Sequence, residues 1–232
     1  MKKYIISLTM ALTMFSAQAQ TNSYQAGDVV PEQIIKEMGE NVFFYSQPIP
    51  DSIFKKMQGK SYKTHCTTKR NELRYIRCLH TDAKGRSIVG EMVVNKSIAK
   101  DVIDIFHSLY QAKYPIERMR LIDHWDADDE QAMRANNSAC FNYRLISHTH
   151  KVSKHGKGLA IDINTLYNPY HKHLANGKEV IEPATGKPYL NRQLHHPYMI
   201  QRGDLCYRLF KQKGFRWGGD WKTLKDYQHF EK

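Results

Sequence analysis

Ser153-Lys154-His155-Gly156-Lys157-Gly158-Leu159-Ala160-Ile161-Asp162 is the stretch around which the rest of the chain is organised. Its second half alternates. Leu159, Ile161 and Ile163 fall on one face of a strand, while Ala160 and Asp162 fall on the other, so a carboxylate projects from a rigid element into a cleft. Gly156 and Gly158 flank Lys157 and allow the tight backbone path that brings His155 over Asp162. A second stretch follows near the carboxy end: Trp217-Gly218-Gly219-Asp220-Trp221, then Asp226-Tyr227-Gln228-His229-Phe230. His155, Asp162 and His229 together supply two imidazoles and a carboxylate, donors that Zn²⁺ accepts at about 2.0–2.2 Å. Three protein ligands leave one position for water, the count of a catalytic centre; a structural centre fills all four from the protein. Asp226 lies three residues before His229 and is a candidate general base for that water.

Spacing alone leaves rivals in place. The chain has 12 histidines, and His148-x-His150 pairs two of them on one strand face, almost level with His155 on this criterion. His171-x-His173 and His195-His196 fall in a long loop and are taken as solvated or substrate-facing. Trp217, Trp221 and Phe230 are taken as core around the site, and Tyr167 and Tyr170 are open between the two roles. Arg144 is the cation placed in the cleft, because a planar five-donor fork suits a carboxylate or a developing oxyanion. A surface ion pair with Asp128 or Asp129 is its competing role. Ser153, Asn142 and Tyr143 supply neutral hydrogen bonds nearby.

Outward from this centre, the pattern predicts an α+β fold. Leu73–Leu79 and Ile88–Val94 alternate as strands around the turn Asp82-Ala83-Lys84-Gly85, giving a hairpin. Asn95 is expected to N-cap a helix over Lys96–Ala112, in which Ile98, Val102, Ile105, Phe106 and Leu109 share a stripe. Arg118–Ile122 is expected as a short strand and Asp126–Arg134 as a short helix. Six prolines or glycines between Tyr167 and Arg202 predict a long loop with a small hairpin near Val180–Tyr189. Asp204 caps a helix that ends at Gly214, and Phe215–Trp217 enters a last strand. The expected architecture is a small antiparallel sheet carrying Asp162 and the final ligand segment, with helices packed on one side.

The ends and the charge bound the setting. Lys2 and Lys3, an apolar run over Tyr4–Phe15 and the small-x-small triplet Ala17-Gln18-Ala19 have the form of a signal peptide over residues 1–19. That run is too short to span a bilayer, which needs about 20 residues; an exported, periplasmic or secreted protein with no integral membrane segment is expected. Residues 20–60 form a wrapping segment and 61–232 the main domain. The formal net charge of +12 favours an anionic partner, which outside the cytoplasm is a cell-wall polymer. No nucleic acid is expected, since no basic reading helix or motif is present. Cys66, Cys78, Cys140 and Cys206 contain no C-x-x-C, and Cys66–Cys78 is the favoured disulfide.

Ser153 to Asp162 as S-x-H-x-x-G-x-A-x-D, Gly214 to Trp221 as G-F-x-W-G-G-D-W and Asp226 to Phe230 as D-x-x-H-F resemble the zinc D-alanyl-D-alanine carboxypeptidase family, the M15 or VanY-like peptidases. The ending looks more like the branch of L-alanyl-D-glutamate endopeptidases, which tends to carry Asp where other branches carry Glu. The resemblance implies a carboxypeptidase or hedgehog-like fold with one zinc in a cleft over the sheet. It implies that His155, Asp162 and His229 are the metal ligands, Asp226 the catalytic carboxylate, Arg144 the substrate arginine and Ser153 a substrate contact. His148 and His150 match no ligand of the family. The implied reaction is hydrolysis of an amide in a peptidoglycan stem peptide by a monomer, as an endopeptidase, with D-alanyl-D-alanine carboxypeptidase as the alternative. A non-catalytic wall-binding module is the rival from another class; it has no need of Asp226.

Overall fold

The computed structural model describes residues 23–146 and 149–232. The expected leader over 1–19 and His148 lie outside the described residues. Helix α1 (Glu32–Met38) follows Pro31 and stops at Gly39, whose φ of 78° is left-handed. Strand β1 (Tyr45–Gln47) and helix α2 (Asp51–Met57) come next. Strands β2 (Leu73–Thr81) and β3 (Ser87–Asn95) form the expected hairpin, each a residue or two longer than its alternation implied. Strand β1 adds to the outer edge of β2, giving a three-stranded antiparallel sheet of order β1-β2-β3.

Helix α3 (Ala99–Gln111) lays Val102, Ile105, Phe106 and Leu109 on Ile76, Cys78, Met92 and Val94 of the hairpin. It begins later than expected, and Asn95 is not its N-cap. The Asn95 Oδ1 instead accepts hydrogen bonds from the Ser97 backbone N–H and hydroxyl, closing a turn ahead of the helix. Arg118–Ile122 is not a strand. It makes only isolated bridges, Arg118 with Asn137, and ends in a 3₁₀ turn over Ile122–Trp125. Helix α4 (Asp129–Arg134) is capped by Asp128, which accepts from the Gln131 N–H at 3.0 Å.

Strand β4 (Ala160–Asp162) pairs antiparallel with β9 (His229–Glu231), which also pairs with β7 (Arg216–Trp217). A third small sheet has β5 (Tyr170–His173) between β6 (Glu179–Glu182) and β8 (Lys225–Asp226). The hairpin expected near Val180–Tyr189 is therefore not formed: the hairpin of the long loop spans Tyr170–Glu182, where strand edges pair, and Ala184–Leu190 is a 3₁₀ segment. Helix α5 (Leu205–Gln212) is capped by Asp204 and ends at Gly214, φ 82°, as the sequence pattern implied. One expected sheet is thus three small antiparallel sheets with helices alongside.

A single apolar cluster joins these pieces. Ile161, Ile163 and Phe230, all fully buried, meet Phe210, Phe215 and Trp217 and continue into the α3–hairpin interface. Phe210 and Phe230 stack at 4.2 Å between ring centroids. Each such side chain contributes about 1.5–3 kcal/mol on leaving water, so the strand pair that presents Asp162 and His229 is anchored from behind. Residues before β2 also pack on this body: Ile35 and Phe43 meet Leu79 and Val89. The four cysteines are free, correcting the Cys66–Cys78 pairing. Cys66 Sγ donates to the Thr68 carbonyl, while Cys78 is sealed between the hairpin and Met119. Among the described residues no helix is long and apolar enough to cross a membrane.

Candidate metal centre

Strand register places the first two donors. Asp162 and His229 are direct partners across β4–β9, so their side chains leave the same face, opposite to the buried Ile161 and Phe230. His229 Nδ1 lies 3.0 Å from Asp162 Oδ1. His155 comes from the turn before β4, where Ser153 Oγ accepts from the Gly156 N–H at 3.0 Å and Gly158 adopts φ 67°. A Cβ on Gly158 would stand 2.7 Å from the Asn95 backbone nitrogen, so only glycine lets this turn dock on the end of β3. His155 Nε2 then lies 3.1 Å from His229 Nδ1 and 3.2 Å from Asp162 Oδ2.

These separations fit one small cation. Ligand atoms at about 2.0–2.1 Å from a tetrahedral zinc stand roughly 3.3 Å apart, close to the 3.1 Å between the two ring nitrogens and to the 3.0 and 3.2 Å at which Asp162 Oδ1 and Oδ2 approach His229 and His155. The outer nitrogens are committed. His155 Nδ1 is 2.7 Å from the Cys140 carbonyl, to which it donates, leaving the Nε2 lone pair for metal. His229 Nε2 lies 3.5 Å from Glu231 Oε2, which orients the ring so that Nδ1 faces Asp162. Glu231 in turn pairs with Arg216 at 2.5 Å. The donor set and its outer partners thus fit zinc.

Electrostatics agree with a cation in this place. Burial opposes ionisation of Asp162, but the charges and hydrogen bonds of His155 and His229 hold its carboxylate well below the usual range. Burial also disfavours a proton on His229, yet Asp162, Glu231 and Asp226 raise that imidazole to about 10. A metal ion competes with this proton for Nδ1.

Asp226 sits beside the triangle, its Oδ2 4.0 Å from His229 Nδ1. Burial pushes its carboxyl up to about 6; Asp162 adds to the rise, and His229 and His155 oppose it. Its Oδ1 is buried with no protein hydrogen bond among the described residues. A buried, unpartnered carboxylate oxygen beside a metal-ligand cluster is placed to accept a proton from water. Gly218 makes the approach of β8 possible, because a Cβ there would stand 2.5 Å from the Asp226 carbonyl oxygen.

The sheet extends the site away from the ligands. Asp226 faces Tyr170 across β8–β5, and Tyr170 faces Glu182 across β5–β6, so the three side chains form one row on one face. Burial raises the Tyr170 phenol, and the charges of Asp226 and Glu182 raise it further. Burial likewise raises Glu182, while the Arg144 charge opposes the rise. Arg144 Nε pairs with Asp129 Oδ2 at 2.9 Å and keeps 41% of its side chain exposed. Of the two roles open to Arg144, the ion pair with Asp129 is the one present, near the Glu182 end of this row.

The other sequence candidates are placed as follows. Ser153 holds the His155 turn through Gly156. Asn142 spends its amide on the Ala127 carbonyl and on Asp129, so it steadies the partner of Arg144. Tyr143 points into the core with Tyr75 and Phe141, its hydroxyl 3.2 Å from Thr67 Oγ1. Trp217 and Phe230 are core, and the Trp221 ring lies 5.4 Å from that of His229. Glu231, Glu182 and the Cys140 carbonyl were not singled out in the sequence. Glu231 was within reach, since position i+2 from a strand ligand shares its face; a backbone carbonyl from a distant loop leaves no mark in a side-chain pattern.

A family model described as D-alanyl-D-alanine carboxypeptidase matches residues 147–232. That range holds His155, Asp162, Asp226, His229 and Glu231, whereas Cys140, Asn142 and Arg144 stand just before it. No solved structure matches the chain at a significant level.

Proposed function

We propose that residues 147–232, matched by the D-alanyl-D-alanine carboxypeptidase family model, form an M15-type zinc peptidase domain that removes the terminal D-alanine from peptidoglycan stem peptides. The observation that carries this is the triangle of His155, Asp162 and His229 with Asp226 beside it. The family description favours carboxypeptidase over the endopeptidase suggested by Asp226 in place of Glu. The carboxypeptidase or hedgehog-like cleft is part of the same proposal, as is action outside the cytoplasm, which rests on the leader-like residues 1–19.

Zinc held by His155 Nε2, Asp162 and His229 Nδ1 would acidify a water and polarise the scissile carbonyl. Asp226 would take the proton of that water and afterwards return it to the leaving amine nitrogen. Cys140 and Glu231 fix the two imidazoles in the tautomers that present the ligating nitrogens. Arg144, steadied by Asp129 and Asn142, receives the substrate carboxylate. Tyr170 lines the path between Arg144 and Asp226 and offers its hydroxyl to the peptide backbone. Asp226 on β8 and Glu182 on β6 lie two strand spacings apart, roughly 10 Å at about 4.8 Å per spacing, wide enough for an extended peptide end.

Digestion of purified muropeptides with the zinc-loaded protein, read by mass spectrometry, tests this. Loss of one alanine from pentapeptide stems, abolished by a chelator, is the expected result. A cut after L-alanine would assign the endopeptidase instead, and zinc-independent wall binding without hydrolysis would assign a binding module.

A further inference from the structure

The hairpin β5–β6 carries a second donor cluster that the proposed catalytic centre does not use. His171 and His173 are two apart on β5 and therefore leave the same face, and Glu179 on β6 is the direct cross-strand partner of His173. His171 Nε2 is 3.2 Å from Glu179 Oε1, and His173 Nδ1 is 3.7 Å from the same oxygen. One nitrogen from each ring and one carboxylate oxygen all lie within 4.8 Å of one another. The two rings stand edge to face with centroids 4.6 Å apart.

We propose that His171, His173 and Glu179 bind a second transition-metal ion, which cross-links the two strands of this hairpin. The edges of 3.2 and 3.7 Å bracket the roughly 3.3 Å between ligands of a tetrahedral zinc at about 2.0–2.1 Å. Two imidazoles and a carboxylate select a borderline ion such as zinc over the hard cations calcium and magnesium, which prefer all-oxygen sites. The backbone is already set for it. The turn Leu174–Lys178 closes with a Leu174 N–H to Lys178 carbonyl bond of 2.8 Å, and Gly177 takes φ 79°. The donors thus sit on a fixed ladder, and binding requires only side-chain adjustment.

This site is weaker than the first. His173 is 69% exposed, and among the described residues no hydrogen bond holds the second ring nitrogen of either histidine. Missing outer partners cost about 10–100-fold in affinity. The ion would clamp the hairpin that also carries Tyr170 and Glu182, a few residues along the same strands.

Zinc titration of the metal-stripped full chain against a chromophoric chelator tests the proposal. Two ions per chain are expected, the second about 10–100-fold weaker. His173→Asn and Glu179→Gln should each remove the second ion and leave the first, and calcium or magnesium should not compete. A zinc count in the unaltered protein that neither substitution lowers overturns it. The His155→Ala/His229→Ala double variant, checked for folding by circular dichroism, separates this site from the first. It should bind one zinc in a manner sensitive to His173→Asn, whether or not the catalytic proposal holds. If that variant does not fold, the single substitutions on the exposed hairpin still decide.

Discussion

Asp162 and His229 face one another across the β4–β9 ladder, 67 residues apart in sequence, with His229 Nδ1 3.0 Å from Asp162 Oδ1. The pairing register alone puts a carboxylate and an imidazole on one face, and Phe230 and Ile161 lock that register from the other. A one-residue slip of either strand would turn its donor into the core. Asp162→Asn keeps the shape but removes the charge. It is expected to lower zinc affinity by more than the about 10–100-fold typical of an outer-partner loss, measured by chelator competition, with little change in the far-ultraviolet dichroism.

Glu231 Oε2 lies 3.5 Å from His229 Nε2 and would act on a bound metal through that ring. Glu231→Gln is expected to weaken zinc binding by about 10–100-fold while excess zinc restores turnover. Arg216→Ala, at the exposed end of the same chain of contacts, should change affinity far less. Equal effects of the two substitutions on the dissociation constant would contradict this role.

Asp226 sets the acid limb of the pH profile. Its carboxyl is raised to about 6 in the metal-free protein, and a dication beside it favours the ionised form, so on the proposed mechanism kcat/KM of the zinc-loaded enzyme should rise with pH over a range below that value. Asp226→Ala should cut kcat by about 10²–10⁴ with the metal retained. The same shift has a stability sign. A carboxyl raised in the folded state binds its proton more tightly there, so stability falls as pH rises from the unfolded value near 4 to about 6. Metal-free Asp226→Asn should therefore melt higher than the metal-free parent at pH 7, and coincident melting curves would argue against a buried, strained carboxylate.

Gly218 allows β8 to lie against the turn after β7. A methyl group there would stand 2.5 Å from the Asp226 carbonyl oxygen and 2.7 Å from its Cβ. Gly218→Ala must push Asp226 outward, and a misplacement of about 1 Å costs on the order of 10² in rate. The expected result is a large fall in kcat with zinc stoichiometry intact.

Arg144 pairs with Asp129 yet keeps part of its side chain exposed. Arg144→Ala should raise KM for peptides with a free terminal carboxylate and have little effect on the amidated peptide. An equal loss on both substrates would assign Arg144 a structural role through Asp129.

The sequence carried the parts of this fold that side-chain periodicity encodes. The β2–β3 hairpin, the apolar stripe of α3 and the Asp204-capped α5 each follow from residues whose own burial or capping fixes the element. The segments that escaped it depend on distant partners. Strand β8 is two residues, Lys225 and Asp226, and exists because Tyr170 and His171 of β5 offer their backbone edge. Arg118–Ile122 alternates like a strand, but its neighbours Asn137 and Glu91 bind it at single points, so no ladder forms. At the site, His155, Asp162, Asp226 and His229 were legible as residue types in an ordered motif. Tyr143 was misleading for the opposite reason: a polar tip on a large apolar ring is as well suited to a core with one hydroxyl partner as to a binding surface.

Crystals of the zinc-loaded protein, measured on either side of the zinc absorption edge, give the most direct test of the metal centre. An anomalous peak about 2.0–2.2 Å from His155 Nε2, an Asp162 carboxylate oxygen and His229 Nδ1 is the expected result. Fully loaded protein with no density among those three side chains would contradict the account, along with the roles derived for Asp226 and Glu231.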